Sequence, residues 1–367
     1  MKTISQLCVV ALVGLLIGLH PASSSAQMGN ADVRFIPDKC YFVLQFDMQK
    51  LYTYEKMGSK SLQNISGFFK KQTQMDLMDM KTFTLQFCEG ENPTEFGEDT
   101  FGLAMSFGKA VDKESFLRGM EIEFEEGEID GIKYHKSSNQ YAPSVCFPDD
   151  KTIVLGMSTA LERMIGKKSG NSKISALLKS ADPNAEVKGA FHNNEMYKTF
   201  LSAIAMEIPV SPFNIEKVFG SAQTAVISGN VKSSTPILFQ VECDSEDGAE
   251  TLAKKVKFLV DMGKATIPIT RETMEKQKKE MAGRDLGGFE KFQAKQIDMA
   301  LNGMDISEKI LEAAETSNKG KTTYFKVKKM GGVPELIPVI ASMFEAQFEA
   351  IDALQEGLDI PLEDDFE

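Results

Sequence analysis

The chain of 367 residues has no tryptophan, three histidines and five cysteines. Tryptophan often stacks on sugars and anchors binding surfaces, so its absence disfavours a carbohydrate-binding module. Beyond the first 26 residues the histidines are His135 and His192, which lie on separate predicted strands without neighbours at metal-ligand spacing. The sequence also lacks a G-x-S-x-G nucleophile elbow and a Gly-rich phosphate loop. We therefore assign no catalytic, cofactor-binding or metal-binding residue from the sequence.

Basic residues are also in short supply. The chain has 41 Lys and Arg against 53 Asp and Glu, a formal net charge of −12. A nucleic acid or an anionic membrane surface would repel such a chain. The composition therefore disfavours nucleic acid and anionic membranes as partners. The partner stays unknown, and a protein or a small-molecule ligand are the classes left open.

Long hydrophobic runs are confined to one place, the apolar stretch Leu7–Leu19, which follows Lys2 and precedes a small-residue stretch ending at Ala26. It spans 13 residues, whereas a membrane-crossing helix needs about 20. This arrangement is typical of an export signal at residues 1–26 that is cleaved after Ala26. We expect a periplasmic or extracellular protein with no membrane span after cleavage.

Cysteines are few and widely spaced once Cys8 is removed with the signal. In an oxidising compartment an even number of cysteines permits two disulfides, with three possible connectivities. Buried free thiols are the alternative, because most of these cysteines lie in or beside predicted strands. The irregular spacing disfavours a zinc site. The residues concerned are Cys40, Cys88, Cys146 and Cys243.

The chain contains a recurring pattern of turn, strand and helix. Phe46 and Tyr52 follow a Pro-Asp turn, and Phe191 and Tyr197 follow a Pro-Asn turn. The interval from Phe46 to Phe191 equals the interval from Tyr52 to Tyr197. Two further predicted strands and an acidic helix start follow in both copies. We interpret this as an internal duplication, with a first α+β repeat at residues 27–180 and a second at 181–330.

Alternating apolar residues predict eleven strands. Periodicity of 3.6 residues predicts helices after Asp112 and at Thr159–Ile165, Ile174–Ser180, Ala249–Val260 and Arg271–Thr316, the last interrupted at Gly287-Gly288. The acidic run Glu121–Asp130 is interpreted as a solvent-exposed edge hairpin. The predicted strands are Tyr41–Phe46, Thr82–Phe87, Phe101–Phe107, Glu121–Glu125, Ile132–His135, Ser144–Phe147, Thr152–Leu155, Val187–Phe191, Thr224–Ser228, Ile237–Val241 and Thr322–Val327.

The C-terminal region predicts an amphipathic helix at residues 331–356 and an acidic tail at residues 357–367. Apolar side chains recur there at spacings of three and four, which places them on one helix face. We expect this stripe to pack on the body of the protein. Its members are Leu336, Ile340, Phe344, Phe348, Ile351 and Leu354.

Three segments carry a resemblance to a known group: Phe35–Phe46, Asp150–Ile165 and Ile174–Asp182. They resemble uncharacterised exported bacterial proteins with a duplicated α+β domain, over roughly residues 33–330. The resemblance implies export and an α+β fold. It brings no catalytic residues and no mechanism.

Together these observations predict an α+β protein of two related halves, each an antiparallel sheet with helices packed on one face, followed by the C-terminal amphipathic helix. The leading hypothesis for function is an exported soluble protein that is non-catalytic and acts by ligand binding or in the cell envelope. One alternative is an exported hydrolase that uses Asp and Glu without a sequence signature. Another is a carrier of an apolar ligand held between the two halves and lined with Phe and Met.

Overall fold

A computed structural model describes most of the chain between residues 32 and 328. The described residues are 32–52, 70, 75–88, 101–120, 122–139, 142–167, 172–193, 220–230, 235–282 and 288–328. The predicted export signal, the predicted C-terminal helix and the predicted acidic tail lie outside these residues.

Twelve strands in the described residues form one antiparallel sheet, in the order β11-β12-β10-β9-β8-β1-β2-β3-β7-β6-β5-β4. The β1–β8 pair joins the first half of the chain to the second, so the predicted halves share a single sheet. The strands are β1 Cys40–Asp47, β2 Met80–Cys88, β3 Phe101–Phe107, β4 Phe124–Ile129, β5 Ile132–Ser137, β6 Ser144–Cys146, β7 Thr152–Gly156, β8 Val187–His192, β9 Ala222–Gly229, β10 Ile237–Cys243, β11 Ala314–Lys319 and β12 Thr322–Val327.

Six α-helices in the described residues accompany the sheet. They are α1 Met48–Tyr52, α2 Lys113–Gly119, α3 Ser158–Ile165, α4 Lys173–Ser180, α5 Glu246–Met281 and α6 Gly288–Glu312. The acidic starts predicted from the sequence are present. The Asp112 side chain accepts a hydrogen bond from the Ser115 amide, and Ser245 caps α5 through the Gly248 amide.

The central strands have two unlike faces because successive side chains point to opposite sides of a sheet. In β1, Phe42, Leu44 and Phe46 lie on one side, and Val43 and Gln45 lie on the other. Cross-strand pairing extends this division over the neighbouring strands. We call the first side the aromatic face; it carries Phe42, Leu44, Phe46, Phe83, Leu85, Phe87, Phe101, Leu103, Phe191, Ile227, Phe239 and Phe325. We call the second side the α4 face; it carries Val43, Gln45, Thr84, Gln86, Ala104, Lys188 and Ala190.

Helices cover both faces, so the predicted arrangement with helices on one face is wrong. On the α4 face, α4 packs Ile174 and Leu178 against Val43, and α3 packs Leu161 against Ala104. On the opposite side, α2 packs through Phe116 and α5 through Leu252. Both sides of the sheet present apolar rows, and each row is removed from water only by a cover of its own.

Helix prediction in the second half was wrong in two places. The helix expected at Ala249–Val260 extends to Met281 and contains Pro268. The helix expected to reach Thr316 is α6, which ends at Glu312, and β11 follows it.

The sheet ends in two tight hairpins. β4 and β5 turn at Asp130 and Gly131, whose φ angles are 52° and 84°, and β11 and β12 turn at Gly320 with φ 56°. The prediction of an exposed edge hairpin in the acidic run is confirmed, because β4 is an outermost strand of the sheet. The strand begins at Phe124, later than predicted.

In the described part of the chain, no helix combines the length and the apolar character needed to cross a membrane.

Candidate functional site

A row of phenylalanine rings crosses three adjacent strands on the aromatic face. The rings of Phe42 and Phe87 have centroids 6.0 Å apart, and those of Phe87 and Phe101 are 5.8 Å apart. All three side chains are half-buried. Leu85 and Leu103 lie two residues from Phe87 and Phe101 along β2 and β3, and both are buried. The row forms because β2 pairs with both β1 and β3 in registers that place Phe87 opposite Phe42 and opposite Phe101.

The second half contributes its own ring pair to this side of the sheet. Phe239 of β10 and Phe325 of β12 are paired residues with ring centroids 5.7 Å apart, and both are half-buried. The strands between the two groups are closely packed at their centre. A Cβ atom added at Gly189 would lie 3.0 Å from Ile227 and 3.1 Å from Leu44. The aromatic face therefore offers hydrocarbon and ring surface, which binds apolar groups by contact.

A polar cluster lies on the α4 face beneath residues 32–36. The Gln45 side-chain amide donates to the Asp32 carbonyl at 2.9 Å and to Thr84 Oγ1 at 3.0 Å. The Gln86 amide donates to the Phe35 carbonyl at 2.9 Å. These bonds fasten the segment that precedes β1 across the sheet.

The cavity beside this cluster is small. Its volume is about 10 Å³, which is enough for about one water molecule. Gln86 lines it, and the amide oxygens of Gln86 and Gln45 are buried without a partner among the described residues. The cavity is too small for an organic ligand. We therefore assign the cluster a structural role, which is to hold residues 32–36 against the sheet, and we call it the clasp.

A second group of buried polar side chains lies near the β1–β8 junction. Lys50 Nζ is 3.7 Å from Asp47 Oδ2 and 3.4 Å from the Asn184 carbonyl. Lys188 is 2% exposed, and burial, followed by the nearby Lys50 charge, lowers its pKa. These contacts tie the start of α1 to the turn before β8.

The structure brings two of the four predicted cysteines together. Cys40 and Cys88 are paired residues of β1 and β2 in one buried cluster. Cys146 lies in β6 against α3, and Cys243 lies at the end of β10 against α5. All four cysteines are buried and free in the structure.

The two histidines are far apart in the strand order, on β5 and β8. His135 lies between the rings of Phe124 and Phe147, with centroid distances of 6.1 and 5.9 Å. His192 Nδ1 is 3.3 Å from the Gln223 carbonyl. Within the described ranges, His, Cys, Asp and Glu side chains do not form a group of three or more that could hold a metal ion.

The aromatic face as a unit is not predicted from the sequence. A signal was present, because apolar side chains alternate at Phe42, Leu44 and Phe46 and again at Phe83, Leu85 and Phe87. That alternation was used to predict strands. The register that brings the rings together depends on pairing between distant strands and is not encoded locally.

No protein-family model and no curated protein sequence matches the chain. A search of solved structures finds similarity to TP0453 in crystal form I, with a TM-score of 0.35 and 9% sequence identity. The match covers 86% of this chain and 99% of that chain. A likeness this distant has no bearing on the site.

Proposed function

We propose that the chain is an exported, non-catalytic protein that binds an apolar ligand on its aromatic face. The contiguous row formed by Phe42, Phe87 and Phe101 carries this proposal. Each ring is half-buried, so a ligand that covers the row would remove further apolar surface from water. A hydrocarbon chain or a flat ring system is the class of ligand that such a surface favours.

Export is part of the proposal and is supported by residues 1–26 and by the resemblance to exported bacterial proteins. Two of the resembling segments, Asp150–Ile165 and Ile174–Asp182, cover β7, α3 and all of α4 except its first residue. The expected location is the periplasm or the exterior. Expression of the full chain in a bacterial host should yield an exported protein whose intact mass corresponds to a start at Gln27. A cytoplasmic protein that still carries residues 1–26 would contradict export.

Internal duplication is also part of the proposal, and matched backbone contacts support it. The Phe107 amide donates to the Lys151 carbonyl at 2.9 Å, and the Cys243 amide donates to the Lys321 carbonyl at 2.8 Å. These bonds join β3 to the start of β7 and β10 to the start of β12. β12, which pairs with β10, therefore corresponds to β7, which pairs with β3.

A second pair of contacts supports the same correspondence. The Gly108 amide donates to Asp79 at 2.7 Å, and the Asp244 amide donates to Ser221 at 3.0 Å. Leu44 faces Gly189 near the middle of the β1–β8 pair, and these two residues are separated by the same interval as Phe46 and Phe191. In a duplicated protein the aromatic face would span both copies, with the ligand lying across the junction.

The binding proposal is tested with the purified chain and cis-parinaric acid, a fluorescent fatty acid. We expect saturable binding that oleate displaces. Phe101→Ser should weaken binding about tenfold or more, because loss of one buried aromatic contact costs about 1.5 to 3 kcal/mol. The matched control is Phe258→Ser, at a phenylalanine of α5 that is 54% exposed, and it should bind as the unchanged chain does.

Three results would overturn this assignment. Equal binding by the Phe101 and Phe258 variants would place the ligand elsewhere. Binding that appears only after Phe344→Ser and Phe348→Ser would indicate that the aromatic face is occupied by the C-terminal stripe of the chain itself. Turnover of esters, glycosides or peptides by the purified chain would favour the hydrolase alternative.

A further inference from the structure

The start of β1 contains a β-bulge that changes which way Cys40 points. Phe42 is paired with Phe87 and Cys40 with Cys88, so two steps along β1 correspond to one step along β2. Strict alternation would place Cys40 on the aromatic face with Phe42. The extra residue, Tyr41, moves Cys40 to the α4 face, where Cys88 lies.

The two thiols share one dry environment. Cys40 is 5% exposed and Cys88 is 1% exposed, in a cluster with Ile174 and Leu178 of α4. The Cys40 thiol lies 3.1 Å from the Phe87 carbonyl, on the strand that carries Cys88. This environment is apolar and favours a covalent bond between the sulfurs over a metal site.

The other two cysteines cannot reach this pair. Cys146 lies on β6, four strands from β1, and Cys243 lies on β10, three strands from β1. Adjacent strands are about 4.8 Å apart, so either gap exceeds the roughly 7 Å that a disulfide can span between Cα atoms. The sequence left three connectivities open, and this geometry leaves one bond.

We propose that Cys40 and Cys88 form an intramolecular disulfide when the chain folds in an oxidising environment. Two S–H bonds are broken and one S–S bond is formed. The two protons and two electrons pass to a disulfide oxidant such as oxidised glutathione, which becomes two molecules of reduced glutathione. The bond fastens β1 to β2 at the end of the pair next to the bulge.

The bond forms before the core closes. Burial raises the pKa of the Cys40 thiol, followed by its contact with Cys88. The thiolate is the reactive species in disulfide exchange, so a buried and protonated thiol exchanges slowly. Oxidation is therefore fast during folding and slow once α4 covers the pair.

The test uses the full chain carrying Cys8→Ser, so that the signal cysteine takes no part. The reduced protein is unfolded in urea and refolded with oxidised and reduced glutathione, and free thiols are then blocked. Tryptic digestion without reductant should give peptide 40–50 linked to peptide 82–109, with Cys146 and Cys243 blocked. Blocked Cys40 and Cys88, or a link from either to Cys146 or Cys243, would overturn the proposal.

A matched pair of variants separates the disulfide from general packing. Oxidative refolding should raise the urea midpoint of the Cys146→Ala variant as much as it raises that of the chain without this substitution. It should leave the urea midpoint of the Cys88→Ala variant unaltered. If Cys88→Ala does not fold, the peptide map of a chain that also carries Cys146→Ala and Cys243→Ala decides alone. That chain keeps Cys40 and Cys88 and carries Cys8→Ser, Cys146→Ala and Cys243→Ala, and an unlinked Cys40 in it contradicts the proposal. Folded, reduced protein exposed to oxidised glutathione should form the bond at least about tenfold more slowly than refolding protein.

Discussion

The two faces of the central strands are built from alternate residues of the same strands and are held by different forces. On the α4 face, Gln45 and Gln86 donate hydrogen bonds to the backbone of residues 32–36. On the aromatic face, the side chains of Phe42, Phe87 and Phe101 meet ring to ring. The hydrogen bonds on the α4 face are directional and specify which segment covers it. The ring contacts on the aromatic face are not directional and allow any apolar surface to pack there.

This difference bears on binding. A directional clasp leaves little choice of occupant, and the cavity on the α4 face has room for about one water molecule. Ring surface places few demands on the shape or polarity of a ligand. The proposed ligand site therefore belongs on the aromatic face, and the following changes probe the two faces separately.

The largest effect is expected on the aromatic face, at Phe46. Its side chain is 1% exposed and its ring lies 6.0 Å from that of Phe83. Phe46→Ala should lower the free energy of unfolding by about 3 to 5 kcal/mol in urea denaturation. Phe42→Ala, on the same strand and face, should cost clearly less because Phe42 is half-buried. Equal losses would show that the rim of the face is as closed as its centre.

Glycine substitutions compare how firmly each face is packed. Gly189→Ala should cost about 1 to 3 kcal/mol, because the new methyl group meets the branched Cβ of Ile227 at 3.0 Å. Gly102→Ala on the α4 face would overlap the sulfur of Met164, a flexible side chain that can turn aside, and should cost less. Gly303→Ala has open space and should stabilise α6 by up to about 1 kcal/mol. Thermal or urea unfolding measures all three, and a larger loss at Gly102 than at Gly189 would reverse the comparison.

The clasp on the α4 face is tested at Gln86. Gln86→Leu removes the hydrogen bond to the Phe35 carbonyl and should lower the free energy of unfolding by about 1 kcal/mol. It should also speed tryptic cleavage after Arg34, because residues 32–36 lose an attachment. Gln223→Leu, at an exposed position of β9, should change stability by less than about 0.5 kcal/mol. Unchanged cleavage at Arg34 would indicate that Gln45 alone holds the segment.

The smallest effect is a change in pH dependence at Tyr134, on the α3 side of the sheet. Burial, then the 2.5 Å hydrogen bond to Glu162, raises the Tyr134 pKa to about 12, above the unfolded value of about 10. The phenol is held protonated in the folded protein, so its contribution is complete below about pH 10 and is lost as pH rises towards 12. Tyr134→Phe should lose less stability than the unchanged chain across this window. Glu162→Gln should fall between the two, and parallel pH curves would contradict the assignment.

Strand positions could be predicted closely where side chains alternate. Phe101–Phe107 was predicted with the bounds of β3, and Thr322–Val327 with those of β12. β11 was missed because its sequence, Ala-Glu-Thr-Ser-Asn-Lys, has no apolar row and is a strand only through pairing with β12. The helices predicted at Ala249–Val260 and from Arg271 are joined in α5, which continues through Pro268. The hydroxyls of Thr266 and Thr270 bond back to carbonyls one turn earlier.

The candidate sites depend on contacts that no local pattern encodes. The β1–β8 pair joins residues in different halves of the chain, and it is this pair that makes a single sheet. The bulge at Tyr41 depends on how β2 pairs with β1, so alternation alone assigns Cys40 to the wrong face. The sequence supplied the cysteines and the phenylalanines, and the pairing of distant strands decided which of them meet.

The two hairpins at the ends of the sheet have a consequence for self-association. An outer strand leaves unpaired backbone groups to which another chain can add. β4 presents Glu125, Glu126 and Glu128, so two copies docking through this strand would bring rows of carboxylates together. β11 is exposed and polar along most of its length. Among the described residues the sheet is twelve strands wide, and neither outer strand offers an apolar template for a further strand. A solution of the folded chain should therefore resist polymerisation through β4 or β11.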